Sequence, residues 1–516
     1  MAGYTIGNII RKNRLSRGNP DKTAVVFGDR RLTYGELDDR VNRLASALER
    51  QGFERGQRMA ILSKNRIEWL EAFFGVVRLG GAVVPINYFF KPAELRHALA
   101  DCEVDWLFIE EDLLDTYRPI ESETQVRVVV AGVEHGGLHD GELEFDELLA
   151  GGDPAGVDVL VGLDEPVLFQ YTSGTTGFPK AAIHTHGGLL FNTVTQPYDL
   201  DIRRDDVYLS VPALCWAAGL HDYLLSGLWI GATIVLNPSR ALDCDALCAS
   251  IEAEKATIIV LAPSVMRILL ASDALERHDV SSLRVVMTGA EPITAETLDE
   301  LADRVPGCAV LQGYGQSEFP IFTSVLMADE ARTKTGSAGK STSLCELRVV
   351  DEHGQETPTG VEGAIVSRSP ATMMGYFQRD RENTETIVDG WLQTGDRGYV
   401  DEDGYLYIAG RSKDMLITGG LNVYPAEVER IITDFPGVAE SAIIGVPDEK
   451  YGEVGCAFVV PEPGAEVDLG VLRTTLKEHV SNYKIPRQWQ VRDEPLPRTA
   501  SGKIRKFLLK EAQIDG

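Results

Sequence analysis

The chain has 516 residues, too many for one simple core, so two or more domains are expected. Hydrophobic residues make up 44 % and charged residues 25 %, the balance of an ordinary globular protein. A formal net charge of −28 argues against a nucleic-acid surface, which needs clustered Lys and Arg, and demands that any anionic ligand be met by local positive charge.

The start, Met1-Ala-Gly-Tyr-Thr-Ile6, has no basic stretch followed by an apolar run, and no run of about 18 uninterrupted apolar residues follows anywhere. Neither a signal peptide nor a membrane span is expected, and the expected location is cytoplasmic. The cysteines at 102, 215, 244, 248, 308, 345 and 456 form no C-x-x-C pair and read as reduced thiols, mostly core filler. In chain order, Ala24–Phe27 is a strand, and Thr33 with Glu36 three residues later is a capping box for a helix running to about Arg50. Met59–Leu62 is a second strand, 66–79 a second helix closed by Gly80-Gly81, and Val83–Ile86 a third strand. This β-α-β-α-β rhythm predicts parallel sheets flanked by helices. Residues 131–157, rich in Gly and acidic residues, read as a surface connection with one short helix. Buried-strand runs resume at 166 and recur at Thr257–Leu261 and Leu283–Met287. From 345 shorter strands with turns suggest a small β-rich subdomain, and after Arg411 a compact α+β unit is expected.

The richest segment is Tyr171-Thr-Ser-Gly-Thr-Thr-Gly-Phe-Pro-Lys180, which leaves the apolar strand Pro166–Phe169. Glycines let its backbone N–H groups converge on an anion, hydroxyls add donors, and Lys180 adds charge, so the loop suits a polyphosphate. No G-x-x-x-x-G-K-[ST] can be read, so it is not the usual P-loop. Four more segments stand out in order: Gly313-Tyr-Gly-Gln-Ser-Glu318; Trp391-Leu-Gln-Thr-Gly-Asp396; Gly410-Arg411-Ser-Lys413-Asp414 running to Gly419-Gly420 and Pro425; and Pro497-Arg-Thr-Ala-Ser-Gly-Lys503. A flat aromatic beside glycines, such as Tyr314, can stack on a base. A strand-end Asp such as Asp396 can accept two ribose hydroxyls. His184 and His186 form an H-x-H pair without an evident third ligand and read as packing or strand-end polar contacts rather than a metal site.

These five ordered motifs, spread over nearly the whole chain, resemble the adenylate-forming superfamily of acyl-CoA synthetases, peptide-synthetase adenylation domains and luciferases. The resemblance implies an α/β fold with a large N-terminal AMP-binding domain (1–410) of multi-layer parallel sheets with helices plus a β subdomain. A small mobile α+β C-terminal domain (411–516) would act as a lid, with the site between them. It assigns Thr172, Ser173, Gly174, Thr175, Thr176, Gly177 and Lys180 to the ATP phosphates. Gly289-Ala290-Glu291 and Gly313-Tyr314-Gly315 would wall the adenine, and Asp396 and Arg411 would hold the ribose or phosphates. Ser317, where the family usually has Thr, would bond the α-phosphate, Glu318 would hold Mg²⁺, and Lys503 would reach the carboxylate and α-phosphate during adenylation. Lys413 falls at the family hinge, and Gly419-Gly420 would line the acceptor tunnel. Two departures touch specificity. Trp216 stands near the place of a usual histidine, and Leu421 follows the glycine pair where an acidic or aromatic residue is frequent. Trp216 and His221 are the acyl-pocket candidates.

The implied reaction uses ATP, Mg²⁺, a carboxylic acid and coenzyme A, giving acyl-CoA, AMP and pyrophosphate through an acyl adenylate. Transfer to an amine or amino acid, loading of a carrier protein, and nucleotide binding without catalysis are the alternatives. The acid and the oligomeric state, a homodimer among the options, stay open.

Overall fold

The computed structural model describes residues 4–15, 20–134, 138–172, 180–237, 242–289, 293, 295–411, 414–418, 421–423, 425–448, 451–480, 482–498 and 502–514. Two large sheets organise the first three-quarters of the chain. One has nine strands in the order Lys340–Ser341, Phe319–Leu326, Ala309–Gln316, Val285–Gly289, Ile258–Val260, Val207–Ser210, Thr233–Leu236, Thr23–Phe27 and Arg30–Thr33. Every neighbouring pair from Ala309–Gln316 to Thr23–Phe27 is parallel. The other has eight strands, ordered Gly375–Tyr376, Lys180–Thr185, Pro166–Thr172, Ala82–Ile86, Arg58–Leu62, Trp106–Glu110, Arg127–Ala131 and Leu143–Glu144. It is parallel from Pro166–Thr172 onward. Parallel strands covered on both faces must be apolar throughout, which is why these runs lack alternation.

The sheets share one core. A single cluster takes in Ile61 and Val83 of the eight-stranded sheet, Ile234 and Ile258 of the nine-stranded sheet, and Trp69 and Phe73 of helix Ile67–Arg78. That helix is hydrophobic nearly all round, as a helix buried between layers must be. Helix Tyr34–Arg50 begins as its sequence says: Thr33 Oγ1 accepts from Glu36 N at 3.1 Å, and Glu36 Oε2 accepts from Thr33 N at 2.8 Å. The short helix in the connection is Phe145–Ala150.

The β-α-β-α-β rhythm over 21–110 predicts parallel sheets flanked by helices, and its strands fall in two of them. Thr23–Phe27 joins the nine-stranded sheet beside Thr233–Leu236, while Arg58–Leu62 and Ala82–Ile86 join the other. A hairpin with Arg30–Thr33 turns the first strand away, through Gly28 at φ 57°. Local periodicity identifies a strand but not its sheet.

A third sheet, within 346–411, holds Glu346–Val350, Gly363–Arg368, Trp391–Val400, Ile387–Val388 and Leu406–Arg411. A fourth, within 416–491, holds Leu421–Val423, Leu416–Thr418, Gly452–Pro461, Val438–Asp448 and Gln488–Val491. It packs one face against Val428, Ile432, Leu472 and Leu476 and the other against Leu496 and Leu509, so it carries its own core. Among the described residues no helix is long and apolar enough to cross a membrane. All seven cysteines are free, and five are buried.

Candidate active site

Strands Pro166–Thr172 and Lys180–Thr185 are antiparallel, with Thr172 opposite Lys180, so residues 173–179 connect the ends of a hairpin. Strand Gly375–Tyr376 pairs on the other side, with Tyr376 opposite Ala182. This register brings three functional groups together. The Lys180 ammonium lies 5.4 Å from the Tyr376 ring centroid and pairs with Glu382 at 3.3 Å. Glu382's own backbone N–H and this lysine hold the Glu382 carboxyl below its usual range. The Tyr376 hydroxyl donates to Glu318 Oε1 at 2.6 Å. Glu318 itself sits in the turn between Ala309–Gln316 and Phe319–Leu326, where its carbonyl accepts from Met373 N at 3.0 Å. His184, four residues along the strand from Lys180, reaches the Ser317 carbonyl through Nε2 at 2.9 Å. Burial pushes His184 down to about 4, so the ring is neutral and Nε2–H is the donor.

The Gly313–Glu318 segment is the end of one strand and a hairpin turn into the next. Gly313 and Gly289 are opposite each other in parallel strands, and a Cβ on Gly289 would stand 2.5 Å from the Gly313 carbonyl oxygen. Glycine is therefore required by the close approach of two backbones. Next in this strand, Tyr314 donates its hydroxyl to Asp396 Oδ2 at 2.6 Å. Asp396 is 6 % exposed and lies inside strand Trp391–Val400, not at its end as the sequence suggested. Its partner in register is Arg411, the last residue of Leu406–Arg411. A buried carboxylate, the phenol that donates to it and a facing arginine backbone meet near the carboxyl end of Ala309–Gln316, where open α/β sheets bind ligands.

A family model described as AMP-binding enzyme matches residues 13–377, and one described as AMP-binding enzyme C-terminal domain matches residues 427–503. The chain belongs to the AMP-binding enzyme family. It is 37 % identical over 492 residues to an indoleacetate–CoA ligase of Aromatoleum aromaticum, covering 94 % of each chain. An anthranilate CoA ligase solved with anthranoyl-AMP superposes with a TM-score of 0.90 at 30 % identity, covering 99 % of this chain and 97 % of the other. The o-succinylbenzoate coenzyme A synthetase of Bacillus subtilis, solved with ATP and a magnesium ion, gives 0.86 at 29 % identity, covering 99 % and 100 %. The chain is thus an acid–thiol ligase that activates a carboxylic acid as its acyl adenylate.

In this AMP-binding enzyme the acyl-pocket candidates have distinct settings. Trp216 is half-buried and immediately precedes helix Ala217–Leu220. Gln170 Nε2 donates to the Cys215 carbonyl at 2.9 Å, tying that segment to strand Pro166–Thr172. His221 is fully buried, its ring edge-on to His184 at 5.6 Å between centroids. Lys503 is exposed in the segment before helix Lys506–Ile514, beside the Arg498–Ile504 bridge. His186 is buried like His184 and pushed by burial down to about 4, in keeping with packing. The one group of metal-ligating side chains among the described residues, Glu121, His139 and Glu142, lies elsewhere and is paired with Arg118. Ser173, Gly174, Thr175, Thr176, Gly177, Ala290, Glu291, Lys413, Gly419 and Gly420 lie outside the described residues, as does the side chain of Leu421.

Sequence reasoning missed Tyr376, Glu382 and the His184–Ser317 contact. Tyr376 is 58 residues from Glu318, and a Gly-Tyr-Phe run carries no chemistry until the sheet places it.

Proposed function

We propose that this enzyme activates an aromatic carboxylic acid with ATP and passes the acyl group to coenzyme A. The observation that carries the reading is the joint placement of Lys180, Ser317 and Glu318 around Tyr376 and His184, next to the Tyr314–Asp396 corner. The aromatic class and the acceptor rest on the indoleacetate and anthranilate CoA ligases it resembles. The proposed domains are 1–410 and 411–516, with Lys413 as hinge and the glycine pair 419–420 lining the acceptor's path. The proposed location is the cytoplasm.

In the first step a carboxylate oxygen attacks the α-phosphorus, and the bond to the β-phosphate oxygen breaks to release pyrophosphate. Lys180 exchanges Glu382 for the leaving phosphates, against an overall charge of −28 that would otherwise repel them. The Ser317 hydroxyl meets the α-phosphate. Asp396 accepts the ribose hydroxyls while holding Tyr314 for the adenine. Lys503 bridges the carboxylate and the α-phosphate as charge redistributes. Glu318 fits a magnesium site: one carboxylate oxygen is fixed by the Tyr376 hydroxyl, and a hard oxygen donor remains. A bound Mg²⁺ there would offset phosphate charge. In the second step the thiol sulfur attacks the acyl carbon, forming the thioester, and AMP leaves with the bonding pair.

The test is a panel of carboxylic acids with ATP and Mg²⁺, run with coenzyme A, with amino acids, and with neither, read by mass spectrometry. Aromatic acyl-CoA is the expected product. Amides formed while coenzyme A is ignored would overturn the acceptor, and reaction of aliphatic acids alone would overturn the acid class.

A further inference from the structure

Strand Gly375–Tyr376 is two residues long and forms one edge of the eight-stranded sheet. On its inner side it lies against Lys180–Thr185, where Met374 N donates to the Ile183 carbonyl at 2.8 Å and Phe377 N to the Ala181 carbonyl at 2.9 Å. The outer side of an edge strand presents N–H and C=O groups that a further strand would pair. Here one side chain pairs them. Asn383 Oδ1 accepts from Tyr376 N at 2.6 Å, and Asn383 Nδ2 donates to the Tyr376 carbonyl at 2.9 Å. A carboxamide carries an acceptor and a donor side by side, so it meets both main-chain groups of one residue as a neighbouring strand would.

The surroundings are shaped to hold this amide. Gly375 sits at φ 143°, and a Cβ there would stand 2.9 Å from Asn383 Cγ and 3.0 Å from its Nδ2 and Oδ1. Asn383 lies on helix Asp380–Thr386, with its own N–H bonded to the Arg379 carbonyl at 2.9 Å. The Arg379 guanidinium pairs with Asp101, the last residue of helix Pro92–Asp101. Gln378 Nε2 donates to Glu103 Oε1 at 2.8 Å, and both residues are left-handed, at φ 52° and 45°. Strain of that kind persists only where the surroundings impose it. The residue gripped in this way is the one that reaches the site: the Tyr376 hydroxyl donates to Glu318 at 2.6 Å, and its ring stands 5.4 Å from the Lys180 ammonium.

We infer that Asn383 is a positioning residue for adenylation: by gripping both main-chain polar groups of Tyr376 it aims the Tyr376 hydroxyl, and so places the Glu318 carboxylate for Mg²⁺. The consequence for Mg²⁺ rests on Glu318 as its ligand, proposed above; the grip on Tyr376 does not.

Two readouts test this. The first is the Mg²⁺ concentration giving half-maximal thermal stabilisation at fixed ATP. Asn383→Leu keeps a branched side chain without polar atoms and is expected to raise that midpoint by about three- to tenfold, as for other residues that orient a metal ligand. Added to Tyr376→Phe, which already lacks the hydroxyl, it is expected to change the midpoint by less than about twofold. A merely structural role would instead shift the midpoint equally in both backgrounds. The second readout is the fluorine NMR resonance of 3-fluorotyrosine placed at position 376, without nucleotide. Asn383→Leu is expected to move or broaden it. Gly375→Ala, whose methyl would displace the amide, is expected to reproduce both effects and serves if Asn383→Leu does not fold. An unaltered fluorine resonance, an unchanged midpoint in Asn383→Leu, or equal shifts in the two backgrounds would overturn the proposal. A midpoint unchanged in Glu318→Gln would instead remove Glu318 as the Mg²⁺ ligand, and the fluorine resonance alone then decides the grip.

Discussion

The Tyr314–Asp396 and Tyr376–Glu318 pairs and the buried polar groups around Tyr223 are linked through His184 yet built in opposite ways. In the first, each phenol meets a carboxylate at 2.6 Å: Tyr314 on Asp396, Tyr376 on Glu318. In the second, the Asp222 carboxyl has no cation and the His221 nitrogens have no partner among the described residues. The polar groups of the first are paired in advance, which avoids reorganisation if charge develops beside them. In the second, burial is not matched by hydrogen bonding among the described residues.

The largest effect is expected at Lys503, in the segment before helix Lys506–Ile514. Lys503→Ala is expected to slow acyl-adenylate formation by about 10²–10³-fold, the scale of one lost electrostatic contact to a transition state. Attack of coenzyme A on supplied acyl-AMP should stay within about threefold. Equal loss in the two half-reactions, measured separately by quench flow, would remove Lys503 from the adenylation role. Next, Asp396→Ala should raise the ATP dissociation constant by about 10–100-fold, as expected for bonds to a charged group, read by calorimetry. A smaller change than in Tyr314→Phe would mean that Asp396 serves the tyrosine more than the ribose.

Tyr376→Phe keeps the ring beside Lys180 but removes the bond to Glu318. The Mg²⁺ concentration giving half-maximal thermal stabilisation at fixed ATP should rise by up to about tenfold, as for other residues that orient a ligand. An unchanged midpoint would show that Glu318 is placed by the backbone alone.

The smallest effect probes the incomplete half without substrate. The folded Asp222 carboxyl, raised to about 8, keeps a proton that the unfolded chain loses near pH 4. Wild-type stability should therefore fall as pH rises from about 4 to 8 relative to D222N, which has nothing to titrate there, by about 1 kcal/mol or more. Denaturant unfolding at pH 5 and pH 8 measures it, and a constant gap between the two proteins would mean that Asp222 ionises freely in the fold.

What could be read from the residues alone follows the range of the forces involved. The Thr33 cap and the strand before Lys180 are set by residues close by in the chain, and each is where the sequence puts it. Tyr314 and Asp396 could each be named from a motif, but their bond spans 82 positions and depends on two sheets meeting. Tyr376 and Asp222 carry no motif at all. Their roles come from burial and from which partners are near, properties of the packed chain. The same limit hid the sheet membership of Thr23–Phe27, whose apolar residues suit either sheet.

Lys180 and His184 stand four positions apart on one strand, so both face the same side, about 13 Å from end to end. Lys180 is the group proposed to meet the leaving phosphates; His184 packs against His221 and bonds the Ser317 carbonyl. The strand is a gauge, its length set by backbone geometry rather than by side chains. Removing a single residue between the two marks would shorten it by about 3.4 Å and turn His184 to the opposite face. Substitution of either side chain changes what that side chain contacts, whereas the span between the two positions is fixed by the number of peptide units.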